Sequence, residues 1–399
     1  KLSMDDYIAP LKVALKVYDE HECIKPLSHS QIINGIPGKR FIDHINFNSS
    51  IGYPLKGKKI KYMEGRPTEY DFADKEIFQL EFDNMRSCYI RGERYYPIFK
   101  ASLKDEPIPK IKDKVRVFQA ADITLQYGWR KYGLPILRFL SMHPILSECA
   151  VGVNPYSDEW DQLHQHLTFN GELEDRIVAG DYKSWDQKLP SQLVMAAFEV
   201  IVRIAKIIPT YSSDDILIIQ GLATDTTYYL SHFNGTLIEF NNGLPSGHNL
   251  TAHINSIANS LLLRYGYYLY KNPAPFREYC HAITYGDDFE TGVHSSIKNF
   301  DHVKYKSVVD NLGMLLTMPD KTSNPVPFLN IDNCDFLKRR GVKCDVDNLY
   351  YGALDYNSMI RSLLVRGKTS VSEREHAHSV IRGFIHDLSF HPKEFYNDK

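Results

Sequence analysis

Several features that would point directly to a function are absent from this 399-residue sequence. Its six cysteines are widely spaced and include no C-x-x-C pair, which argues against a zinc knuckle or a redox motif and favours free thiols in a reducing compartment. The most apolar stretch, Leu193–Ile208, is interrupted by three charged residues and falls short of the roughly 20 residues that cross a bilayer. Because no secretory signal pattern opens the sequence, the chain is expected to stay in the compartment where it is made.

The sequence also lacks an excess of charge of either sign. Its 47 lysines and arginines against 49 acids leave a net charge of −2, so composition alone does not predict a polyanionic partner. Residues 91–140, however, hold eleven lysines and arginines against five acids. Within this segment Val115 and Val117 alternate with Lys114 and Arg116, which predicts a strand with its basic residues on one face. A surface for nucleic acid is therefore expected to be local.

Apolar periodicity predicts alternating helices and strands, and hence an α+β chain with a mixed sheet. Residues 176–181 resemble a buried strand that ends in a carboxylate, and Pro190 is suited to open the long helix that follows. Apolar residues from Ile254 onward recur at helical spacing to about Tyr270, which predicts a second long helix.

Acidic residues lie at two predicted strand ends. Asp181 closes the first strand, and two apolar runs flank Gly286-Asp287-Asp288, which predicts a hairpin with two acids at its tip. Nucleotidyl transfer from a triphosphate requires carboxylates from separate strands to converge on two divalent ions, and such hard oxygen ligands suit Mg²⁺ or Mn²⁺. Gly-Asp-Asp is also a common turn sequence, so a solvated hairpin tip is the competing interpretation of this motif taken alone.

The order of several motifs resembles that of the RNA-dependent RNA polymerases of picornaviruses and their relatives. The matching segments are 49–54 (motif G, the loop where template enters), 104–116 (motif F, the basic fingers strand), 181–186 (D-x4-D, motif A), 246–255 (S-G-x3-T-x3-N, motif B), 285–288 (YGDD, motif C), Lys321 (motif D) and 336–339 (FLKR, motif E). Together they extend over about three quarters of the chain. The resemblance implies an α+β right-hand polymerase fold. Its expected parts are fingers in 1–175, a palm in 176–335 with an inserted fingers segment around 208–240, and motif E with the thumb in 336–399.

The resemblance also implies a role for each motif residue. The catalytic set is Asp181, Asp287 and Asp288, which bind two Mg²⁺ ions that Mn²⁺ can replace, and Lys321, which protonates pyrophosphate. The nucleotide-binding set is Lys104, Lys112, Arg116, Asp186, Ser246, Thr251 and Asn255. Within it the basic residues meet the triphosphate and the last four recognise the ribose 2′-hydroxyl. The RNA-binding set is Ser49, Ser50, Gly247, Lys338 and Arg339.

Simpler interpretations stay open for several of these residues. Asp186 can cap a helix, Lys321 can be a surface lysine, and the basic strand can be merely solvated. Ile108 stands where family members carry a further basic residue, which leaves the roles of Lys110 and Lys112 open. The stretch before motif G is shorter than in full-length relatives, which a shortened chain lacking part of the fingertips would explain.

The sequence therefore predicts a viral RNA-directed RNA polymerase that replicates a positive-strand RNA genome. Its expected partners are an RNA template and primer, ribonucleoside triphosphates and, by family resemblance, a protein-linked primer and other viral replication proteins at replication complexes in the host cytoplasm. A reverse transcriptase is the alternative enzyme, although it normally carries a bulky aromatic residue where this chain offers Asp186 and Asn255. A non-catalytic RNA-binding protein is the alternative from another class, and it would be expected to have lost one of the metal carboxylates.

Overall fold

The computed structural model describes residues 1–106, 108, 115–366 and 371–398. These residues form sixteen α-helices, two short 3-10 helices and thirteen β-strands. The α-helices are α1 (Leu2–Glu22), α2 (His29–Asn34), α3 (Lys75–Ile90), α4 (Ile123–Tyr132), α5 (Leu134–Met142), α6 (Pro144–Ser147), α7 (Asp158–Leu167), α8 (Trp185–Lys188), α9 (Ser191–Ile207), α10 (Ser213–Thr227), α11 (Thr251–Leu269), α12 (Phe276–Tyr279), α13 (His302–Asn311), α14 (Tyr356–Leu364), α15 (Glu373–Leu388) and α16 (Lys393–Asp398). The 3-10 helices are Lys59–Tyr62 and Ile331–Asn333. The strands are β1 (Met63–Glu64), β2 (Asp71–Phe72), β3 (Ile98–Leu103), β4 (Val117–Ala120), β5 (Ile177–Ala179), β6 (Asp181–Lys183), β7 (Leu230–Phe233), β8 (Thr236–Glu239), β9 (Cys280–Tyr285), β10 (Asp288–Val293), β11 (Leu315–Thr317), β12 (Arg339–Lys343) and β13 (Tyr350–Leu354).

The acidic motifs lie on two small antiparallel sheets. In the first, β10 runs between β5 and β9, with Glu290 of β10 opposite Ala179 of β5. β9 and β10 form the hairpin that the sequence predicted around Gly286. The second sheet pairs β6 with β11 and places Asp181 opposite Thr317. No ladder of backbone hydrogen bonds joins β6 to the hairpin within the described residues.

The strand predicted over residues 176–181 is in fact two strands. β5 ends at Ala179 and β6 begins at Asp181, so the chain changes its partner from β10 to β11 at Gly180. A Cβ atom on Gly180 would lie 2.8 Å from the carbonyl oxygen of Thr317, and only a glycine allows this close approach between backbones. Asp181 therefore opens the second strand instead of closing the first.

A four-stranded sheet with the order β4-β3-β7-β8 collects two distant parts of the chain. β3 is antiparallel to β4 and parallel to β7, so β7 and β8, which lie within residues 208–240, share a sheet with the two strands that flank motif F. The strand predicted around the basic residues begins only at Val117, and Arg116 immediately precedes it.

The long helix α11 occupies the centre of the core. It packs against α9, α1 and α13 and against the back of the β9–β10 hairpin at β9. Both predicted long helices are confirmed. Pro190 directly precedes α9, and α11 ends at Leu269, one residue before the predicted end. Among the described residues, none of the helices combines the length and the apolar character that a membrane crossing requires.

Candidate active site

The tip of the β9–β10 hairpin presents the first acid of motif C. Gly286 and Asp287 form a two-residue turn, and Gly286 has a φ of 65°, a left-handed value that such tight turns need and that glycine adopts without strain. Asp287 is exposed at this tip, whereas Asp288 begins β10 opposite Tyr285. The turn therefore directs the two neighbouring acids into different surroundings.

Asp181 lies close to the hairpin tip and already has a cationic partner. Lys321 Nζ is 2.9 Å from Asp181 Oδ1, and both side chains keep contact with solvent. A cavity of about 120 Å³ is lined by Asp181, Asp287, Asp288 and Lys338, among other residues. The three predicted metal carboxylates thus come from two sheets to one place.

The surroundings of the hairpin disfavour its negative charges. Although Asp287 is exposed, the protein around it removes part of its hydration and raises its pKa, as do the nearby carboxylates of Asp181 and Asp186. Burial raises the pKa of Asp288 to about 7, even though Asp288 Oδ2 accepts a 2.6 Å hydrogen bond from the Leu337 backbone nitrogen. That bond ties the start of β10 to the turn of motif E.

The donor chemistry of this cavity fits a hard divalent cation. Carboxylate oxygens are the ligands that Mg²⁺ prefers, and a cation would relieve the crowding of negative charge that raises the pKa of Asp287. Within the ranges that the structure describes, no group of three or more His, Cys, Asp or Glu side chains has the spacing of a formed metal site. The carboxylates therefore share the cavity but would have to approach one another further to ligate one ion.

The basic residues of motif F lie beside an acid of their own segment. Glu106 Oε2 is 3.3 Å from Lys104 Nζ, and Glu106 Oε1 is 3.5 Å from Arg116 Nε. Arg116 is exposed and near enough to Asp287 to lower the pKa of that carboxyl. Lys112, the third predicted triphosphate ligand, lies outside the described residues, as does Lys110.

The motif B loop is packed against the end of β4, the strand that follows motif F. A Cβ atom on Gly247 would lie 2.2 Å from the Gln119 carbonyl oxygen, and the Ala121 backbone nitrogen donates to the Gly247 carbonyl at 3.2 Å. Ser246, next to this contact, is exposed. The hydroxyl of Thr251 is 3.1 Å from the Pro245 carbonyl oxygen and 3.0 Å from the His248 carbonyl oxygen, so it braces the loop.

Asp186 and Asn255, two of the residues predicted to recognise the ribose, are connected through Trp185. Trp185 Nε1 donates a 3.0 Å hydrogen bond to Asn255 Oδ1 on α11, and Asp186, the next residue along the chain, is exposed. In the described part of the chain, no hydrogen bond joins Asp186 to Asn255 directly. Asp186 is not a helix cap either, because Ser184 is the N-cap residue of α8. Trp185 is thus a site residue that motif A did not identify.

The loop that matches motif G is held by a buried lysine. Lys59 is only 3% exposed, and its Nζ donates to Ser49 Oγ at 2.6 Å and to the Ser50 carbonyl at 2.8 Å. Burial, with a smaller effect of Arg130, lowers the pKa of Lys59 to about 8. Ser49 and Ser50 therefore have a fixed position, and the sequence analysis did not identify the lysine that fixes them.

The two basic residues of motif E have different surroundings. Lys338 is exposed and lies 3.3 Å from Asp335 Oδ2. Arg339, which was predicted with Lys338 to bind RNA, is largely buried: its guanidinium donates to the Gly352 carbonyl at 2.7 Å and to Tyr156 Oη at 2.8 Å and pairs with Asp387 at 3.3 Å. Arg339 therefore ties β12 to β13 and α15, whereas the Lys338 ammonium remains exposed.

Two further polar residues behind the hairpin were missed by the motif pattern. Ser256 Oγ accepts a hydrogen bond from the Gly286 nitrogen at 2.8 Å, and the Asn259 side chain donates to the carbonyls of Gly286 and Asp287. Both are fully buried on α11, whose core-facing residues are otherwise mostly apolar. Polar side chains on such a helix are the signal in the sequence that could have identified them.

Comparison with known proteins agrees with the arrangement of these motifs. A family model described as "Viral RNA-dependent RNA polymerase" matches residues 2–399. The chain is 28% identical over 349 residues to the RNA1 polyprotein of Broad bean wilt virus 1, which covers 82% of this chain and 18% of that polyprotein. It is 26% identical over 396 residues to the replicase polyprotein of Drosophila C virus, which covers 93% of this chain and 22% of that polyprotein. The chain thus spans about a fifth of the length of these relatives.

A solved structure shows the same fold. The Sicinivirus 3Dpol RNA dependent RNA polymerase superposes with a TM-score of 0.74 at 22% sequence identity, covering 98% of this chain and 78% of that chain. The predicted α+β right-hand polymerase fold is thereby confirmed.

Proposed function

Because the chain belongs to the viral RNA-dependent RNA polymerase family, we propose that it copies an RNA template by two-metal transfer of ribonucleotides to an RNA 3′-hydroxyl. Pyrophosphate leaves in this reaction, and the product is a copy of a positive-strand RNA genome. The observation that carries the proposal is the convergence of Asp181, Asp287 and Asp288 on one cavity that also contains Lys338. A protein that had kept the fold only to bind RNA would not need to crowd these carboxylates together.

In this proposal Asp181 and Asp287 hold two Mg²⁺ or Mn²⁺ ions, and Asp288 supports them from the start of β10. Such ions, when bound, lower the pKa of the attacking hydroxyl and neutralise charge on the triphosphate. Lys321 leaves Asp181 and donates a proton to the departing pyrophosphate, which its exposed position permits. Each role belongs to a different strand or loop around the same cavity.

The triphosphate would be bound by Arg116, Lys104 and Lys112. Arg116 can form two parallel hydrogen bonds to phosphate oxygens, a geometry that lysine lacks. In the protein without nucleotide, Glu106 lies beside both Lys104 and Arg116. A triphosphate carries more negative charge than this single carboxylate, so we infer that it displaces Glu106 from Arg116 when nucleotide binds.

The sugar would be selected by Asp186, Ser246 and Asn255, with Thr251 bracing the loop that carries Ser246. The 2′-hydroxyl is both a donor and an acceptor, and Asn255 has an amide that is already oriented by Trp185. Lys338 would meet the primer backbone, while Ser49, Ser50 and Gly247 would lie along the template. The RNA contacts are thus expected to involve the backbone and to carry little sequence preference.

We further propose the domain organisation, the partners and the location that family membership suggests. Residues 1–175 serve as fingers, 176–335 as a palm with an inserted fingers segment around 208–240, and 336–399 as motif E with the thumb. A protein-linked primer and other viral replication proteins are the proposed partners, and replication complexes in the host cytoplasm are the proposed location.

Primer extension tests this function most directly. The full chain is incubated with a homopolymeric RNA template, a complementary RNA primer and Mg²⁺, and ribonucleotides are compared with 2′-deoxyribonucleotides. We expect extension with ribonucleotides, loss of extension when EDTA removes the metal, and weak use of deoxyribonucleotides. Asp287→Ala is expected to abolish extension without a change in melting temperature, because the proposed ions need both carboxylates.

The matched control is Asp310→Ala, which removes an acid on α13 whose partner is Lys306 and which does not line the cavity. Preferential extension with deoxyribonucleotides would identify a reverse transcriptase instead. Tight RNA binding without extension by the unmodified chain would identify a non-catalytic RNA-binding protein.

A further inference from the structure

We infer that Asn259, a buried residue of α11, is the positioning residue that sets Asp287 against Asp181. The inference deepens the proposed function, on which it rests, by naming what holds the two metal-binding carboxylates in register. Asn259 lies four residues beyond Asn255, the last residue of motif B, and none of the sequence motifs includes it.

The amide of Asn259 bridges the two acidic motifs. Its Nδ2 donates to the carbonyl oxygens of Gly286 and Asp287, both at 3.1 Å, and its Oδ1 accepts from Tyr182 Oη at 3.0 Å. The two carbonyls can only accept hydrogen bonds, so the amide nitrogen must face the hairpin and the amide oxygen must face Tyr182. Asn259 therefore uses both its amide nitrogen and its amide oxygen, and no apolar residue of similar size could make these hydrogen bonds.

The direction of the hydrogen bonds can be followed one residue further. Tyr182 Oη is also 2.5 Å from Tyr305 Oη on α13. Because the single hydroxyl proton of Tyr182 is used on Asn259, Tyr305 must be the donor in that contact. The hydrogen bonds therefore all run in one direction, with Tyr305 donating to Tyr182, Tyr182 to Asn259, and Asn259 to the turn that carries Asp287. All three of these side chains are buried, where an unsatisfied partner is costly.

The bridge supplies a connection that the sheets do not. Asp181 precedes Tyr182 on β6, and β6 pairs with β11, whereas the hairpin pairs with β5. The strand of Asp181 and the hairpin of Asp287 are thus linked along this edge by the Asn259 side chain and not by a backbone ladder. β5 and β6 are joined through Gly180, so the chain itself places β6 next to the sheet of the hairpin, and the Asn259 bridge ties the turn of Asp287 to β6.

A second contact fixes the turn to the same helix. Ser256 Oγ accepts from the Gly286 nitrogen at 2.8 Å, one helical turn before Asn259. Ser256 therefore anchors the turn to α11 but does not reach β6. Of these two helix residues, Asn259 is the one that relates the two acids to each other.

The test compares two asparagines of one helix. Asn259→Ala removes the bridge, and Asn255→Ala removes an amide from the preceding turn that bonds Trp185 and not the hairpin. Hydrogen exchange of peptides covering 280–293 is measured in the metal-free protein, and Mn²⁺ affinity is measured by electron paramagnetic resonance without nucleotide. Melting temperatures of all variants are recorded, so that global unfolding is separated from loosening of the hairpin.

We expect Asn259→Ala to exchange the hairpin amides roughly tenfold faster, as loss of a buried hydrogen-bonded contact predicts. It should also weaken Mn²⁺ binding, while Asn255→Ala leaves hairpin exchange unchanged. In primer extension, kcat should fall roughly 10²-fold with little change in the KM for nucleotide, since a small misplacement of reacting groups has an effect of that size.

Hairpin exchange and Mn²⁺ affinity equal to those of the unmodified protein would overturn the inference. Neither measurement needs turnover, so both remain decisive if the unmodified chain fails to extend a primer and the proposed function falls. If Asn259→Ala does not fold, Tyr182→Phe is used in its place, because it keeps the volume and removes only the hydroxyl that orients Asn259. Tyr305→Phe, which leaves the Tyr182–Asn259 bond intact, is then the control, and equal exchange in the two variants would overturn the inference as well.

Discussion

Lys321 Nζ lies 2.9 Å from Asp181 Oδ1, so the lysine of motif D is paired with the first acid of motif A. Lys321 directly follows Pro319-Asp320 and has a φ of 66°, in a turn closed by its own backbone nitrogen on the Met318 carbonyl. The Lys321 ammonium thus lies in the most negatively charged part of the site. In a working site it would exchange this carboxylate for the pyrophosphate that leaves.

The first prediction separates proton transfer from simple charge at this position. Lys321→Gln should lower kcat by roughly 10²–10⁴-fold if the lysine is a general acid. Lys321→Arg should lower it as well, because a guanidinium keeps the charge but does not release its proton readily. Single-nucleotide incorporation rates measure this difference.

Melting temperature serves as the internal control for both Lys321 variants. The ion pair is well exposed, and such pairs contribute little to stability, so neither variant should lower the melting temperature. Full activity of Lys321→Arg would show that the residue supplies charge and not a proton.

The second prediction concerns sugar choice. Asn255→Ala and Trp185→Phe both disrupt the hydrogen bond that orients the Asn255 amide. If that amide recognises the 2′-hydroxyl, each variant should lose about 1–3 kcal/mol of selection for ribonucleotides. Values of kcat/KM for ribonucleotides and 2′-deoxyribonucleotides give the selection directly. An equal loss with both sugars would mean that the pair supports the fold or the metal site instead.

The third prediction concerns the contact between the motif B loop and β4, the strand that follows motif F. Gly247→Ala would place a Cβ atom 2.2 Å from the Gln119 carbonyl oxygen, so the two segments must move apart. We expect lower nucleotide affinity and a lower melting temperature, because overpacking against backbone typically costs about 1–3 kcal/mol.

Gly383→Ala is the matched control for that change. Gly383 lies inside α15, and a Cβ atom there would meet no atom within 4 Å. Alanine at an open position in a helix should stabilise the protein by roughly 0.5–1 kcal/mol. A Gly247→Ala variant that behaved like Gly383→Ala would exclude the close contact.

The fourth prediction is a pH dependence of stability at Glu148, which does not line the cavity of Asp181 and Asp287. Glu148 is buried and pairs with Arg264 at 2.6 Å and with Arg277 at 3.2 Å. Burial by itself would raise the pKa of Glu148, but the two arginines outweigh it and lower the pKa from 4.5 to about 2. The stability that this ionised group contributes is therefore complete above pH 4.5 and is lost as the pH falls towards 2.

Glu148→Gln should be less stable by about 3–5 kcal/mol at pH 7, because partly buried Arg277 loses its carboxylate partner and buried Arg264 keeps only Asp6 as a counter-charge. The difference in melting temperature from the unmodified protein should shrink as the pH is lowered from 4.5 towards 2. A difference that stays constant over this range would show that Glu148 does not titrate in the folded protein as described.

Much of the site was predictable because its motifs are local. The hairpin around Gly286 follows from two apolar runs and a turn sequence, and α9 and α11 follow from helical periodicity and from Pro190. These features depend on backbone preferences of neighbouring residues, which a linear pattern records. The order of the motifs was enough to predict the family, and the family model confirms it.

Other features depended on residues that are distant in the sequence. Periodicity predicted one strand up to Asp181, but the close packing of Gly180 on Thr317 breaks it into two. Arg339 matched a motif for primer binding, yet Tyr156 and Asp387, which come from far along the chain in both directions, take its guanidinium into the interior. The contacts of a charged side chain are decided by which elements pack beside it, and its own segment does not record them.

The sequence by itself thus determined which acids are present, which turn carries Asp287 and which helix lies behind it. Only the tertiary structure decided how Asp287 is held relative to Asp181, through an asparagine that no motif includes and a tyrosine on the other sheet. The physical reason is that hydrogen bonds between distant segments form only after the apolar faces of α11 and the sheets have packed. The pattern of a single segment specifies those faces but not the partners that packing brings to them.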